Sequence, residues 1–210
     1  MKHPDRPFLV AITGGIASGK SIVSKWFEEK NYLVFYADKI GHELLNDKYF
    51  KNKIEDVFGK DIIINGSVDR AKLGKNIFNS ASKRIQLNEV LHPEIRKRMQ
   101  QIINTSSQEV LIFEIPLLFE NGLQKAFDLT INISARNEIR IERIIKRDGI
   151  TKDSAQKRIN SQMSELDKQK LADINIVNES DLDNLFLQLQ RLFPHLKKLK
   201  KKDIKKIIEL

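Results

Sequence analysis

The sequence predicts an α/β fold in which a mostly parallel sheet of five strands is covered by helices. The first indication is an apolar run of strand length at residues 8–13, which ends at Gly14-Gly15 and is followed by apolar residues at helical spacing. The second is the alternation of further strand-length runs with helical patterns, the chain order that places parallel strands side by side through right-handed crossovers. Because the first run is apolar up to its last residue, Thr13, we expect a strand that is buried on both faces of the sheet.

Two connections between the predicted strands are too long to be simple crossovers. Residues 39–108 contain at least three helical patterns, and Pro93 is expected to open one of these helices at its first turn. Residues 137–172 are dense in charge and include a row of arginines. We therefore expect an inserted helical lobe in the first connection and a helical flap over an anionic ligand in the second.

These assignments give one domain over residues 1–194, followed by a basic tail at 195–210. The predicted strands are, in chain order, 8–13, 32–36, 109–115, 128–133 and 174–177. The predicted parts of the domain are a core at 8–38, 109–136 and 173–194, a helical acceptor lobe at 39–108 and a flap at 137–172.

A glycine-rich motif lies between the first predicted strand and the first predicted helix, and it matches the P-loop pattern G-x-x-x-x-G-K-[ST] in the required context. Its residues are Gly14, Gly15, Ile16, Ala17, Ser18, Gly19, Lys20 and Ser21. The glycines let successive N–H groups face inward as an anion nest, and the helix adds its N-terminal positive partial charge. Lys20 is expected to reach the β- and γ-phosphates of ATP, and the Ser21 hydroxyl to ligate Mg²⁺. The motif alone predicts a P-loop NTPase fold that binds a nucleoside triphosphate. The nucleotide-kinase type of this fold is expected only together with the other residues at the carboxyl ends of the strands.

Asp38 lies just past the second predicted strand. A carboxylate at that position is suited to take a proton from an acceptor hydroxyl, the one proton transfer that a kinase needs. An N-cap for a helix beginning at Lys39 is the alternative role, and both roles can hold together.

Glu114, at the end of the third predicted strand, occupies the place where P-loop proteins often carry a metal-organising acid. An apolar segment, residues 115–119, follows it at once. This segment is interpreted either as a loop that faces an acceptor with an apolar part or as core.

Basic side chains in the lobe and the flap are candidate phosphate ligands. His92 precedes the helix predicted at Pro93, and Arg96 lies in its first turn, where a guanidinium can grip a phosphate. Arg143 and Arg147 are one helical turn apart and share a face, which suits the charge of a transferring phosphoryl group. The alternatives are a capping or packing role for His92 and solvated positions for the flap arginines.

The motifs, taken in order, resemble those of the dephospho-coenzyme A kinases over residues 8–180. Besides the P-loop, the matching segments are Ala37-Asp38, His92-Pro93-Glu94-Ile95-Arg96, Pro116-Leu117-Leu118-Phe119-Glu120, Arg147-Asp148-Gly149, Arg158-Ile159 with Gln162-Met163, and Ala172-Asp173 with Asn178. The combination of the His-Pro and Pro-Leu-Leu-Phe-Glu segments is specific to that family among P-loop kinases.

The resemblance implies a role for each matching position. It implies that Lys20 and Ser21 bind ATP and Mg²⁺, and that Asp38 is the base toward a ribose 3′-hydroxyl. By the same resemblance Arg147 is the flap arginine on the phosphates, and Asn178 lies near adenine. The residues implied on the acceptor side are Arg70, His92 and Arg96.

Three positions depart from the family's pattern. Tyr36 stands where the family often has an aspartate, Ala17 replaces a common glycine, and Glu114 replaces a common aspartate. The changes at Tyr36 and Glu114 affect the outer coordination shell of the expected Mg²⁺ ion, since a glutamate places its carboxylate about one methylene further out than an aspartate. Ala17 is a small change.

Composition limits the function classes and the compartment. The absence of Cys excludes disulfides, thiolate metal sites and a thiol nucleophile, and it favours a cytoplasmic protein. No membrane span is expected, because the N-terminal apolar stretch is far too short for one. The net charge is +9, and seven lysines against two acids in residues 195–210 supply more than half of it. The apolar positions of this tail predict an amphipathic helix that docks on the body or touches an anionic surface, and the tail is expected to be dispensable for chemistry.

The sequence as a whole predicts transfer of the γ-phosphoryl group of ATP to dephospho-coenzyme A. Another small-molecule or nucleotide kinase is the alternative enzyme. A nucleic-acid-associated ATPase is the alternative class, prompted by the basic tail, but no stacking platform or binding module supports it, so no nucleic-acid partner is expected.

Overall fold

The computed structural model describes residues 6–78, 80–196 and 199–210. The chain divides into two compact units, which we call the sheet unit (Met1–Tyr36 and Ser106–Leu210) and the helical unit (Ala37–Thr105). In chain order the elements are β1 (Phe8–Gly14), α1 (Lys20–Glu29), β2 (Leu33–Tyr36), α2 (Ala37–Leu44), α3 (Lys48–Phe58), β3 (Ile63–Ile64), β4 (Ser67–Val68), α4 (Arg70–Phe78), α5 (Ala81–Thr105), β5 (Val110–Glu114), β6 (Leu129–Ser134), α6 (Asn137–Asp148), α7 (Lys152–Asn160), α8 (Glu165–Leu171), β7 (Ile174–Val177) and α9 (Leu182–Leu196).

The sheet unit contains the five-stranded parallel sheet that the sequence predicts. Its strand order is β2-β5-β1-β6-β7, and the central strand β1 is buried along its whole length. Each strand begins and ends within one residue of its predicted bounds. The register pairs Glu114 of β5 with both Ile12 of β1 and Tyr36 of β2, so these residues meet at the carboxyl edge of the sheet.

One face of the sheet is covered by α1 and α9. Trp26 and Phe27 of α1 and Leu185 and Leu189 of α9 are buried in one cluster with alternate residues of β1, including Val10. This packing fixes the start of α1 next to the end of β1, which places the P-loop (residues 14–21) at the carboxyl edge of the sheet.

The helical unit has its own apolar core, built around Phe50, Ile54 and Leu87. It also contains a two-stranded hairpin, β3–β4, whose turn residues Asn65 and Gly66 both have positive φ angles. Asn-Gly is the preferred dipeptide for a two-residue hairpin turn, because both central residues of that turn need positive φ.

The helix start predicted at Pro93 is wrong. Pro93 lies inside α5, so His92 and Arg96 are also interior residues of a 25-residue helix and not residues of a first turn. A proline inside a helix costs about 3 kcal/mol. Packing offsets this cost on both sides of the proline, because Leu87 and Met99 are buried.

The amphipathic helix predicted for the tail is also wrong. Helix α9 ends at Leu196, whose side chain is buried in the main core, and residues 199–206 contain no helix. The tail does dock on the body of the domain, but as a chain without a helix and through its backbone: the Lys202 amide donates to a carboxylate oxygen of Asp128 at 2.7 Å, and the Lys205 amide donates to the Lys125 carbonyl at 3.1 Å. A helix over this run would also bring lysines of like charge together.

Asp128 is the main anchor of the tail. Its fully buried carboxylate also accepts two hydrogen bonds from Arg6, at 2.5 and 2.7 Å, and one from the Leu9 amide at 2.8 Å. Because Asp128 directly precedes β6, the tail lies at the amino edge of the strands, opposite the P-loop.

The two isoleucines at the end of the tail provide a matched test of this docking. Ile207 is 1% exposed and Ile208 is 50% exposed. We expect Ile207→Ala to lower the free energy of unfolding by about 2 kcal/mol, and Ile208→Ala by less than about 0.5 kcal/mol, in chemical denaturation. Equal effects would contradict the docked position. ATP turnover should be unchanged in both variants, because the tail lies at the edge of the sheet away from the P-loop.

Across the described ranges, no helix combines the length and the apolar character needed to span a membrane.

Candidate active site

The P-loop runs from the end of β1 to the start of α1, and two of its glycines are required by close contacts. A Cβ atom at Gly14 would lie 2.2 Å from the Ile133 carbonyl oxygen of β6, and one at Gly19 would lie 2.1 Å from Nδ2 of Asn178. Both residues also have positive φ angles, 147° and 102°. A side chain at either position would therefore both strain and displace the loop.

The carbonyl groups of three consecutive P-loop residues are bound by side chains from other elements. The Ile16 carbonyl accepts from Arg140 Nε at 2.9 Å, the Ala17 carbonyl from an Arg143 guanidinium nitrogen at 3.2 Å, and the Ser18 carbonyl from Asn178 Nδ2 at 2.8 Å. Two of these donors belong to α6, the first helix of the predicted flap, and Asn178 follows β7. Since these carbonyls are turned outward, the amide hydrogens of the residues that follow them face the opposite side of the loop, the arrangement of an anion nest.

Lys20 lies at the first position of α1 and reaches back across the loop. Its ammonium group donates to the carbonyls of Gly14 at 2.9 Å and Gly15 at 3.0 Å. This position keeps the charge at the mouth of the nest, where a phosphate can replace the carbonyl partners.

Glu114 lies below the loop and is bound to two hydroxyl groups of α1. Its carboxylate accepts from Ser24 Oγ at 2.5 Å and from Ser21 Oγ at 3.4 Å. Among the residues that the structure describes, no group of three or more His, Cys, Asp or Glu side chains is arranged to hold a metal ion by itself. A cation here would therefore depend on Ser21, Glu114 and the phosphates of a nucleotide.

Tyr36, the first departure from the family's pattern, remains protonated beside Glu114. Burial raises the pKa of its hydroxyl well above the ordinary value, and the hydrogen bond to Glu28 at 3.0 Å and the charges of Glu28 and Glu114 act in the same direction. Tyr36 therefore supplies a neutral hydroxyl where an aspartate would supply a second charge.

Ala17, the second departure, has a φ angle of 60°, in the left-handed region. We expect Ala17→Gly to raise the free energy of unfolding by up to about 1 kcal/mol in chemical denaturation, because glycine removes most of the strain of this conformation. Ala155→Gly is the control: this buried position lies within α7, where glycine should instead cost about 1 kcal/mol. A loss in Ala17→Gly as large as the control's would show that packing of the Ala17 methyl group outweighs the strain.

The flap arginines have different partners, although they share a helix. Arg143 is bound to the P-loop and, at 3.1 Å, to the Asn178 carbonyl. Arg147 forms a bidentate ion pair with the neighbouring Asp148, at 2.7 and 3.0 Å, and this pairing raises the pKa of Arg147. Arg158 binds the same carboxylate at 2.6 Å. Arg147 is thus held by a surface carboxylate, and its side chain is largely exposed.

A buried ion pair fixes the base of the flap to the loop after β5. The Lys168 side chain is fully buried, and its ammonium group lies 2.7 Å from Glu120 Oε1, which also accepts from the Met163 amide at 3.1 Å. The neighbouring side chain of Gln162 accepts a hydrogen bond from the Ile16 amide of the P-loop at 2.7 Å. The connection between α7 and α8 is thus held at two successive residues.

The acceptor-side residues implied by the resemblance all lie in the helical unit. Asp38 is exposed in the first turn of α2, two residues after the end of β2. The helix begins at Ala37, so Asp38 is not its N-cap. The Arg70 guanidinium donates to the His42 carbonyl at 3.4 Å. On α5, burial and the nearby charge of Arg96 lower the pKa of His92, which keeps the imidazole neutral at pH 7.

Sequence reasoning did not single out Arg140, Gln162 or Ser24 as site residues. Arg140 was one of many arginines in a charged segment, and no spacing distinguishes it from a solvated one. Gln162 was quoted only as part of a family motif, and that motif is the signal by which it could have been found.

Three comparisons relate the chain to known proteins. The family profile of dephospho-CoA kinase matches residues 8–184. A curated dephospho-CoA kinase from Fusobacterium nucleatum is 38% identical over 184 residues, which cover 87% of this chain and 95% of that protein. The crystal structure of TT1252 from Thermus thermophilus has a TM-score of 0.78 at 27% identity, with coverage of 90% of this chain and 98% of that chain. A dephospho-CoA kinase structure from Campylobacter jejuni has a TM-score of 0.69 at 26% identity, with coverage of 90% and 97%.

Proposed function

We infer that this chain, which belongs to the dephospho-CoA kinase family, transfers the γ-phosphoryl group of ATP to the ribose 3′-hydroxyl of dephospho-coenzyme A and so gives coenzyme A. The observation that carries this conclusion is the P-loop at the carboxyl edge of the parallel sheet, within a family match that spans residues 8–184. Phosphoryl transfer needs little covalent chemistry from the protein, so positioning and charge stabilisation account for the role of each residue.

On the ATP side, the amide groups of the P-loop and the N-terminus of α1 hold the β- and γ-phosphates. The Lys20 ammonium leaves the carbonyls of Gly14 and Gly15 and binds the same phosphates. Arg143 and Asn178 keep the loop in shape from outside and face the rest of the nucleotide. Arg147 moves from Asp148 to the transferring group.

The residues present fit Mg²⁺, which prefers oxygen ligands and keeps several of its waters. Ser21 would hold the ion directly, and the buried Glu114, already 3.4 Å from Ser21 Oγ, would hold it through water. When bound, the ion neutralises charge that develops on the phosphates.

On the acceptor side, Asp38 takes the proton of the 3′-hydroxyl and orients it toward the γ-phosphorus. Two observations support this role: the carboxylate is exposed, and it makes no side-chain hydrogen bond or ion pair with any residue in the described ranges. Arg70 and Arg96 provide positive charge for the phosphates of the acceptor. Neutral His92 provides a hydrogen bond without adding charge.

An acceptor panel tests this function. ADP release should be fast with dephospho-coenzyme A and at least about 100-fold slower in kcat/KM with nucleoside monophosphates or shikimate, and the product should carry a new 3′-phosphate. A faster reaction with another acceptor would favour the alternative kinase. Stimulation of ATP turnover by DNA or RNA, with a steep salt dependence, would favour the nucleic-acid-associated ATPase.

The cytoplasm remains the expected compartment, and a partner for the tail is not assigned.

A further inference from the structure

Arg140 of α6 lies against the outer side of the P-loop with its side chain almost completely buried. A Cβ atom added to Gly15 would lie 2.4 Å from a terminal nitrogen of its guanidinium, so the group covers this glycine directly. Its Nε atom donates to the Ile16 carbonyl at 2.9 Å. The flap helix therefore contacts the loop at two successive residues.

Both backbone polar groups of Ile16 are bound from outside the loop. Its carbonyl accepts from Arg140, and its amide donates to Gln162 Oε1 at 2.7 Å. In a planar trans peptide the carbonyl and the following amide hydrogen point in opposite directions. Holding the Ile16 carbonyl outward therefore turns the Ala17 amide hydrogen inward, to the side where the nest binds an anion.

The ion pair of Arg140 does not account for its burial. The nearest carboxylate oxygen, from Glu165, is 3.5 Å away, which is longer than a charge-assisted hydrogen bond. Burial lowers the pKa of Arg140, and Glu165 opposes this only partly. The shorter bond, to Ile16, joins Arg140 to the P-loop.

We propose that Arg140, together with Gln162, is a positioning residue for phosphate binding: the two side chains fix the Ile16 backbone so that the Ala17 amide faces the nucleotide phosphates. This rests on the proposed ATP site but not on the identity of the acceptor. Gln162 connects the loop to the flap segment that the buried Lys168–Glu120 pair fixes in place. The flap thus also shapes the nest.

Two substitutions separate the hydrogen bond of Arg140 from its charge. Arg140→Gln places an Nε2 donor the same number of bonds from the backbone as the arginine Nε, so it keeps a donor for Ile16 and removes the charge. Arg140→Met has a similar length and no donor. We expect Arg140→Met to weaken ADP binding at least about 10-fold and Arg140→Gln by less than about 3-fold, measured by calorimetry. The KM for ATP should rise in parallel with little change in kcat, and binding of adenosine should be the same in all three proteins.

The outcomes are decisive for the positioning role. Unchanged ADP affinity in Arg140→Met overturns it, and an equal loss in both variants shows that the positive charge matters instead of the peptide orientation. If Arg140→Met does not fold, Gln162→Met replaces it, with Gln156→Met as control, because Gln156 is bound to Asn137 and Asn160 and not to the P-loop. ADP affinity should then fall only in Gln162→Met, and unchanged affinity there overturns the proposal. ADP binding needs no acceptor, so failure of the acceptor assignment would leave this result intact.

Discussion

Arg147→Ala is expected to lower kcat by about 10³-fold while the affinity for ATP falls by less than about tenfold. An arginine that stabilises the transferring phosphoryl group acts mainly in the transition state, and removal of such a group costs on the order of 10³ or more in rate. Steady-state kinetics with dephospho-coenzyme A gives kcat, and calorimetry gives the affinity for ATP.

The position of Arg147 explains why its removal should lower kcat much more than the affinity for ATP. Arg147 is bound to Asp148 and is 58% exposed, so it contributes no contact to the P-loop until the ion pair opens. Such flap movements are typical of enzymes that must exclude water during transfer and release product afterwards. We therefore expect the arginine to contribute late in the reaction.

Lys146→Ala provides the matched control for Arg147→Ala. Lys146 is the preceding residue of the same helix, carries the same charge and is exposed. Its kcat should stay within about twofold of the unsubstituted protein, as expected for a surface position without a partner in the described structure. If Arg147→Ala weakens ATP binding and leaves kcat unchanged, the arginine contributes only uniform binding and the assignment fails.

The sheet and the P-loop were predictable because local sequence determines both. A buried parallel strand needs an uninterrupted apolar run, and the run at residues 8–13 has no polar position except its last. The P-loop needs glycines where the backbone has positive φ or another group comes close, and Gly14 and Gly19 meet both conditions.

The start of α5 was not predictable, because tertiary packing overrides a local signal there. A proline favours a helix start when only the local sequence is considered. In the folded protein, apolar residues on both sides of Pro93 are buried, and their packing keeps the helix continuous across the proline. The roles of Arg140 and of the tail were not predictable for the same reason, because contacts with residues far away in sequence determine them. Arg140 is bound to Ile16, 124 residues away in sequence, and Lys202 is bound to Asp128, 74 residues away. No periodicity within either segment encodes such a partner.

Asp38→Asn is the substitution that tests the catalytic base, and it is expected to lower kcat by at least about 100-fold. A ribose hydroxyl is a poor nucleophile, and a positioned carboxylate that takes its proton contributes on the order of 10²–10⁴ in rate. Because the transition state of phosphoryl transfer is loose, the effect should lie near the lower end of this range. Asparagine keeps the size and shape of the side chain, so the affinity for ATP should be nearly unchanged.

The position of Asp38 in α2 defines the control and the stability expected of the variant. An acid in the first turn of a helix interacts favourably with the helix dipole, which is worth about 0.3–1 kcal/mol, so Asp38→Asn should unfold at almost the same denaturant concentration as the original chain. Glu43→Gln removes another exposed carboxylate from the same helix and should leave kcat unchanged. A folded Asp38→Asn protein that turns over dephospho-coenzyme A at nearly the original rate would exclude Asp38 as the base. Glu114 would then be the next carboxylate to test, with Glu114→Gln measured under the same conditions.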